Sequence, residues 1–218
     1  MVTRVFMAPR RRGMSVEAFQ AHWSGPHAAL ARRLVGLRRY VQNHAALRDG
    51  RPLLPYAGFD CLPELDFDDL AAMDRALFSP ERDRELEDDE AAFLEPGRSG
   101  VVVGSCEVRA GGEAPSGAVK LMTFLRSHPM SGVEQFEACL RGPHAEAVAA
   151  AGPLRHEQLF ALRRGPAATC DAVDMIWFAS PDAALAWPTS RAGAHAAYEL
   201  SGRGQAVARI IVRPLQIV

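Results

Sequence analysis

Apolar residues near the start of the chain recur with the period of a helix. Phe19, Trp23, His27, Leu30 and Leu34 stand at i, i+4, i+8, i+11 and i+15, on one helical face. Ser15 is the predicted N-cap, with Glu17 in the first turn. Ahead of it, TRVFMA is a short apolar run of strand character. After it, LRRYVQNH and YAGFDCL have the β-rich make-up of two further strands. Ser79-Pro80-Glu81 opens a second helix, with proline at its first position. The run ERDRELEDDEAAFLE keeps only a sparse apolar stripe (Leu86, Phe93, Leu94) and reads as a solvated outer helix. GVVVGSCEV closes the series as a strand, giving the order β-α-β-β-α-β.

The pattern then recurs. MSVEAFQAHWSGPHAAL answers MSGVEQFEACLRGPHAEA, pairing Phe19 with Phe136 and Gly25-Pro26-His27-Ala28 with Gly142-Pro143-His144-Ala145. Ser131 and Glu134 have the spacing of a capping box. FDCLPELDFDDLAAM answers VDMIWFASPDAALAW, pairing Asp60 with Asp174. AVKLMTFL and AVARIIVRPLQIV are the outer strands of the second copy. The reading is a duplication, with one unit over 1–109, a linker over 110–117 and a diverged second unit over 118–218. Each unit is a ferredoxin-like α+β arrangement with helices on one face of its sheet and the other face bare. Two tandem units packed sheet to sheet bury both bare faces, which predicts an intrachain pseudo-twofold α/β barrel. Such barrels self-associate again through their edges, so a homodimer is a further expectation.

Composition narrows the partners. A net charge of −1 gives no electrostatic footprint for nucleic acid. No apolar run reaches the length of a membrane-spanning helix. MVTRVFMAPRRRG places its basic residues after the apolar ones, the reverse of a signal peptide. The four cysteines form no C-x-x-C pair and read as buried thiols of a reducing, cytoplasmic setting.

The helix motif through VQNH, then YAGFDCL, then SPERDRELEDDEAAFLE, resemble the EthD-like members of the dimeric α/β-barrel superfamily. The second unit matches more loosely, best at MSGVEQFEACLRGPHAEA and CDAVDMIWF. The resemblance implies the same barrel, with ligands entering between helices and sheet. It also implies cofactor-free decarboxylases, dehydratases, cyclases or isomerases of polyketide-like or aromatic carbonyl compounds, or quinone-forming monooxygenases. Some tandem relatives bind haem through one histidine, and this sequence shows no local motif for that.

The candidate chemistry centres on His27. Pro26 has no N–H to give the helix, so a kink there frees a carbonyl and turns His27 toward the sheet. A histidine so placed is a general acid/base or a structural group bonding a neighbouring carbonyl. His144 is its counterpart. Asp60 is the expected orienting carboxylate, or else an edge-strand residue facing water; Asp174 is its pair. By period two, Tyr40, Gln42 and His44 share one strand face, and Tyr56, Gly58 and Asp60 another. If both faces look toward the helix, they converge with Phe19, Trp23 and His27 around a flat carbonyl or aromatic compound. If they look into the barrel, the set splits. Aligned by the helix motif, the second unit replaces Tyr40 by Glu157, His44 by Ala161 and Trp23 by Leu140, and by the Asp60–Asp174 pairing it replaces Tyr56 by Cys170, which favours the first unit as the active one. Seven histidines occur without H-E-x-x-H spacing, so no metal is expected. Without a G-x-G-x-x-G turn, no dinucleotide is expected, and no cofactor at all. The expected function is cofactor-independent proton transfer beside a carbonyl, of lyase, cyclase or isomerase type. The alternatives are a cofactor-free monooxygenase on a phenol or quinol, and a non-catalytic binder of a hydrophobic metabolite.

Overall fold

The computed structural model describes residues 1–78, 84–163 and 169–218. The first half runs β1 (Val2–Met7), α1 (Val16–His22), α2 (Ala28–Ala31), β2 (Leu37–Ala45), a small hairpin of β3 (Leu47–Arg48) and β4 (Arg51–Pro52), β5 (Pro63–Phe67), α3 (Leu70–Phe78), α4 (Arg84–Phe93) and β6 (Gly100–Gly111). The second half runs β7 (Val119–Ser127), α5 (Gly132–Cys139), α6 (Ala145–Ala149), β8 (Arg155–Ala161), β9 (Ala172–Phe178), α7 (Pro181–Ala186), α8 (Arg191–Ser201) and β10 (Gly204–Gln216). The predicted helix start at Ser79-Pro80-Glu81 lies outside the described residues. β6 continues to Gly111, two residues past the expected end of the first unit.

Strands β1, β5, β2, β10, β7, β9, β8 and β6 follow one another around a closed antiparallel barrel. Each half keeps the same internal order, β6-β1-β5-β2 and β10-β7-β9-β8. The halves meet edge to edge, β2 on β10 and β6 on β8, so two open sheets share one interior and no barrel edge is left bare. Side chains alternate between that interior and the helices. Val5, Met122, Leu159, Val173, Met175 and Ile210 belong to the inner cluster. Tyr40, Leu65 and Phe67 pack under the first half's helices with Met73, Leu77 and Leu86. Part of the interior is polar: buried Lys120 donates to Glu64, and Asn43 Nδ2 donates to the same oxygen at 2.9 Å. Burial opposes the charge on Glu64, but Lys120 and Arg39 outweigh it and hold the carboxyl down at about 2.

Three expectations change. YAGFDCL is not a strand: the chain bends through it, Gly58 has φ +94°, and the N–H groups of Asp60 and Cys61 both donate to the Ala8 carbonyl. The strand is PELDF, with Glu64 and Asp66 turned into the barrel. The matching of the two copies shifts with it. Gln42 faces Pro63 across β2 and β5, whereas Gln158 faces Asp174 across β8 and β9. Asp69 and Ser180 then cap equivalent helices. Asp174 therefore corresponds to Pro63 rather than Asp60, His156 to Tyr40, and Phe160 to His44. Finally, Ser131 does not form a capping box. Its hydroxyl donates to the carbonyls of His128 and Arg203, while Gly132, at φ +71°, starts the helix. Ser15 does cap α1, accepting from Ala18 N at 3.1 Å.

Candidate active site

Both Gly-Pro breaks are single π-helical turns, Trp23–His27 and Leu140–His144. Such turns leave the ordinary ladder irregular and often mark functional positions. A glutamine from the facing strand reaches the turn in each copy. Gln42 Nε2 donates to the Trp23 carbonyl at 2.7 Å, and Gln158 Nε2 to the Leu140 carbonyl at 3.0 Å. A carbonyl of each turn thus has a side-chain partner, and both histidines are turned inward, each 6% exposed.

Their surroundings differ. His27 Nδ1 lies 2.8 Å from Asp89 Oδ2, and His22 Nε2 lies 2.7 Å from Asp89 Oδ1. The carboxylate accepts, so the His27 proton sits on Nδ1 and Nε2 keeps its lone pair. Among the described residues Nε2 has no hydrogen-bond partner. It is the nitrogen left for an adjoining cleft of about 160 Å³, which Phe6, Tyr40, Leu77 and Leu86 also line together with the charged Arg4 and Glu90. A cavity of roughly 150 Å³ holds a benzene ring, so this one suits a small aromatic body. Burial lowers the His27 pKa below the ordinary histidine range, with Asp89 offsetting part of the effect. Phe93 packs against both His22 and His27 at 4.9 Å.

The anticipated His27–Asp60 pair does not form. Asp60 sits at the mouth of the barrel, where it accepts from Arg10 N at 3.0 Å, from Arg10 Nη1 at 2.5 Å and from the Tyr56 hydroxyl at 2.8 Å. Tyr56 is exposed there, away from the cleft. The carboxylate that serves His27 is Asp89, on the helix read as solvated. Leu86, Asp89, Glu90 and Phe93 stand at i, i+3, i+4 and i+7, so the same periodicity that marks the apolar stripe places Asp89 on the buried side.

Tyr40, Gln42 and His44 do look toward the helix. The Tyr40 hydroxyl accepts from Gln42 Nε2 at 2.7 Å, which leaves its own proton free to donate. Burial pushes that phenol's pKa up, so it stays protonated. His44 stands behind the cleft, 4.6 Å from the Trp23 ring and 2.9 Å from Gln42 Oε1; burial pushes its pKa down to about 4. Phe19 and Trp23 are fully buried and form the wall behind His27 rather than the cleft lining.

In the second half both ring nitrogens of His144 are engaged. Nδ1 donates to the Ala196 carbonyl at 2.9 Å, and Nε2 faces Asp174 Oδ2 at 3.2 Å. Burial opposes charge on this ring, but Asp174 outweighs it and raises the pKa. His156 Nε2 meets the other Asp174 oxygen at 2.7 Å. A cleft of about 240 Å³ adjoins His144 and Asp174.

Residues 11–97 match the family model of the EthD domain. No curated protein matches the chain. Among solved structures, an anthrone oxidase-like protein superposes with a TM-score of 0.65 at 13% identity, over 99% of this chain and 93% of that one. A mutant chlorite dismutase from Candidatus Nitrospira defluvii, in complex with cyanide, superposes with a TM-score of 0.58 at 10% identity, over 99% and 91%. At these identities the likeness is one of fold. Among the described residues, no helix is long and apolar enough to cross a membrane.

Proposed function

We propose that the cleft of the first half is the active site of a cofactor-independent enzyme that removes a proton from a small hydrophobic aromatic or carbonyl compound. The observation that carries this is the His27–Asp89 dyad: a neutral imidazole, its Nδ1 proton held by a carboxylate, with Nε2 left toward a cleft whose largely aliphatic and aromatic lining also includes Arg4 and Glu90. A base and its orienting partner are the minimal parts of proton abstraction. Burial keeps His27 unprotonated at neutral pH, which readies it to accept a proton. Tyr40 donates its hydroxyl proton to the oxygen on which negative charge develops. Protonation of the resulting enolate elsewhere gives isomerisation; expulsion of a β-hydroxyl gives dehydration; attack on a second carbonyl gives cyclisation; in decarboxylation CO2 leaves in place of the proton, and the same enolate is then protonated at carbon.

A second reading keeps the first step and changes the second. The anion formed by His27 reacts with O2 as an electron-rich phenolate or enolate, the monooxygenase alternative. It is brought forward by the fold-mate described as anthrone oxidase-like.

Hydrogen–deuterium exchange tests the shared step without knowledge of the product. Wild-type protein in D2O is expected to speed exchange at the acidic carbon of a small aromatic ketone drawn from a panel. His27→Gln is expected to lower that rate by about 10²–10⁴-fold, the usual share of a positioned acid or base. Equal exchange in wild type and His27→Gln would sink the assignment. Oxygen uptake, lost under anaerobic conditions, separates the second reading from the first.

A further inference from the structure

We propose that the second half holds a divalent transition-metal site built from His144, His156 and Asp174. The three side chains come from three elements: the π-helical turn, β8 and β9. One ligand atom of each lies within 4.8 Å of the others, and all three residues are buried. Two imidazoles and one carboxylate form a donor set suited to Zn2+, Co2+ or Fe2+.

The spacings fit coordination. Ligands about 2.1 Å from a common ion are separated by about 3.0–3.4 Å at octahedral or tetrahedral angles. His144 Nε2 lies 3.2 Å from Asp174 Oδ2, within that range, and His156 Nε2 lies 2.7 Å from Oδ1, a hydrogen-bond distance that opens slightly when an ion takes the place of the proton. The outer contacts are those that orient ligands: His144 Nδ1 donates to the Ala196 carbonyl, fixing Nε2 as the free donor, and Gln158 Nε2 donates to Asp174 Oδ1 at 3.1 Å. The cleft beside His144 and Asp174 gives water or a small ligand access to the remaining positions. Thr123, Leu121, Ile176 and Trp187 are among its walls.

Fold stability does not call for this cluster. The first half builds the same strands and the same π-helical turn with Tyr40 in place of His156 and Pro63 in place of Asp174. His156 is also 0% exposed, with Nδ1 lacking any partner among the described residues. A buried polar atom left so is a burden that an apolar residue at this position would avoid. The histidines are twelve residues apart on different elements, which is why no linear motif announces them.

Titration of the untagged, chelator-stripped full chain with Co2+ tests the site. The expected result is a visible d–d absorption band that saturates at one Co2+ per chain and is displaced by Zn2+. Binding should tighten as pH rises, since the ligands must be deprotonated. Asp174→Asn and His156→Ala should abolish the band, with circular dichroism confirming the fold, and His27→Gln should leave it intact. Wild-type saturation far below one ion per chain, or a band that survives in folded His156→Ala, overturns the proposal. If His156→Ala fails to fold, the wild-type stoichiometry and Asp174→Asn decide. The site is independent of the His27 chemistry, so failure of either proposal leaves the other standing.

Discussion

Replacing Gln42 by Met should loosen the turn that aims His27. Gln42 is fully buried and makes three hydrogen bonds: to the Trp23 carbonyl at 2.7 Å, to the Tyr40 hydroxyl at 2.7 Å, and through Oε1 to His44 at 2.9 Å. Met matches its length without any of those bonds. Each bond contributes about 1 kcal/mol net, and a buried group left unpaired adds about 1–3. Tyr40 can turn its hydroxyl and His44 is only half-buried, so the expected loss is about 2–4 kcal/mol. For a chain of this size each kcal/mol lowers Tm by about 2–4 °C. Urea denaturation with an unchanged m-value reads the free energy, and calorimetry reads the Tm. Gln158→Met, which removes the equivalent bond to Leu140, should fall in the same range. A loss below about 0.5 kcal/mol in Gln42→Met, the size of an ordinary surface change, would show that the glutamine does not hold the turn.

Other predictions follow from the charged and titrating groups. His44 binds its proton only below about pH 4 when folded, but below about 6.5 when unfolded, so the unfolded chain takes up more protons between those values and stability falls as pH drops through that window. His44→Phe, the residue found at Phe160 in the other copy, should flatten that fall when unfolding is compared at about pH 4.5 and 7. Lys120→Met leaves Glu64 charged inside the barrel with less compensation and should cost about 3–5 kcal/mol, while adding Glu64→Leu should restore much of it; a Lys120→Met loss under about 1 kcal/mol would contradict a buried ion pair. Because burial lowers the His27 pKa, exchange catalysed by the wild type should persist below pH 6.5, and a pH–rate midpoint above the ordinary histidine range would refute the dyad's assigned protonation.

The duplication, the helical face and the inward histidines are all legible in the sequence, because each rests on local spacing. The third barrel strand of the first half, β5, is not. In PELDF the acidic residues Glu64 and Asp66 alternate as solvent-facing positions do, yet they point inward. Lys120, which neutralises Glu64, comes from the other half of the chain. Asp89 was missed for a related reason. A stripe mixing Leu86 and Phe93 with two carboxylates looks weak until a histidine is known to lie beneath it. Carrying the helix alignment into the strands is one residue off at β2 and β8, and pairing Asp60 with Asp174 is three residues off at β5 and β9; a one-residue slip in a strand turns every side chain to the opposite face. That slip hid the match between Tyr40 and His156.

The seam between β2 and β10 also constrains how the chain can be made. Val41–Ala45 pair with Val212–Gln216, some 170 residues later. At a synthesis rate of about 5–20 residues per second, β2 waits roughly 8–35 s for its neighbour after it leaves the ribosome. Throughout that time it is an open strand edge, the kind of template on which nascent chains aggregate. Its sequence, LRRYVQNHA, carries two arginines, a glutamine, an asparagine and a histidine among its nine residues, a composition that discourages a stranger from docking there. The polar strand that positions Tyr40 and Gln42 is thus also the chain's protection while it waits for its last strand.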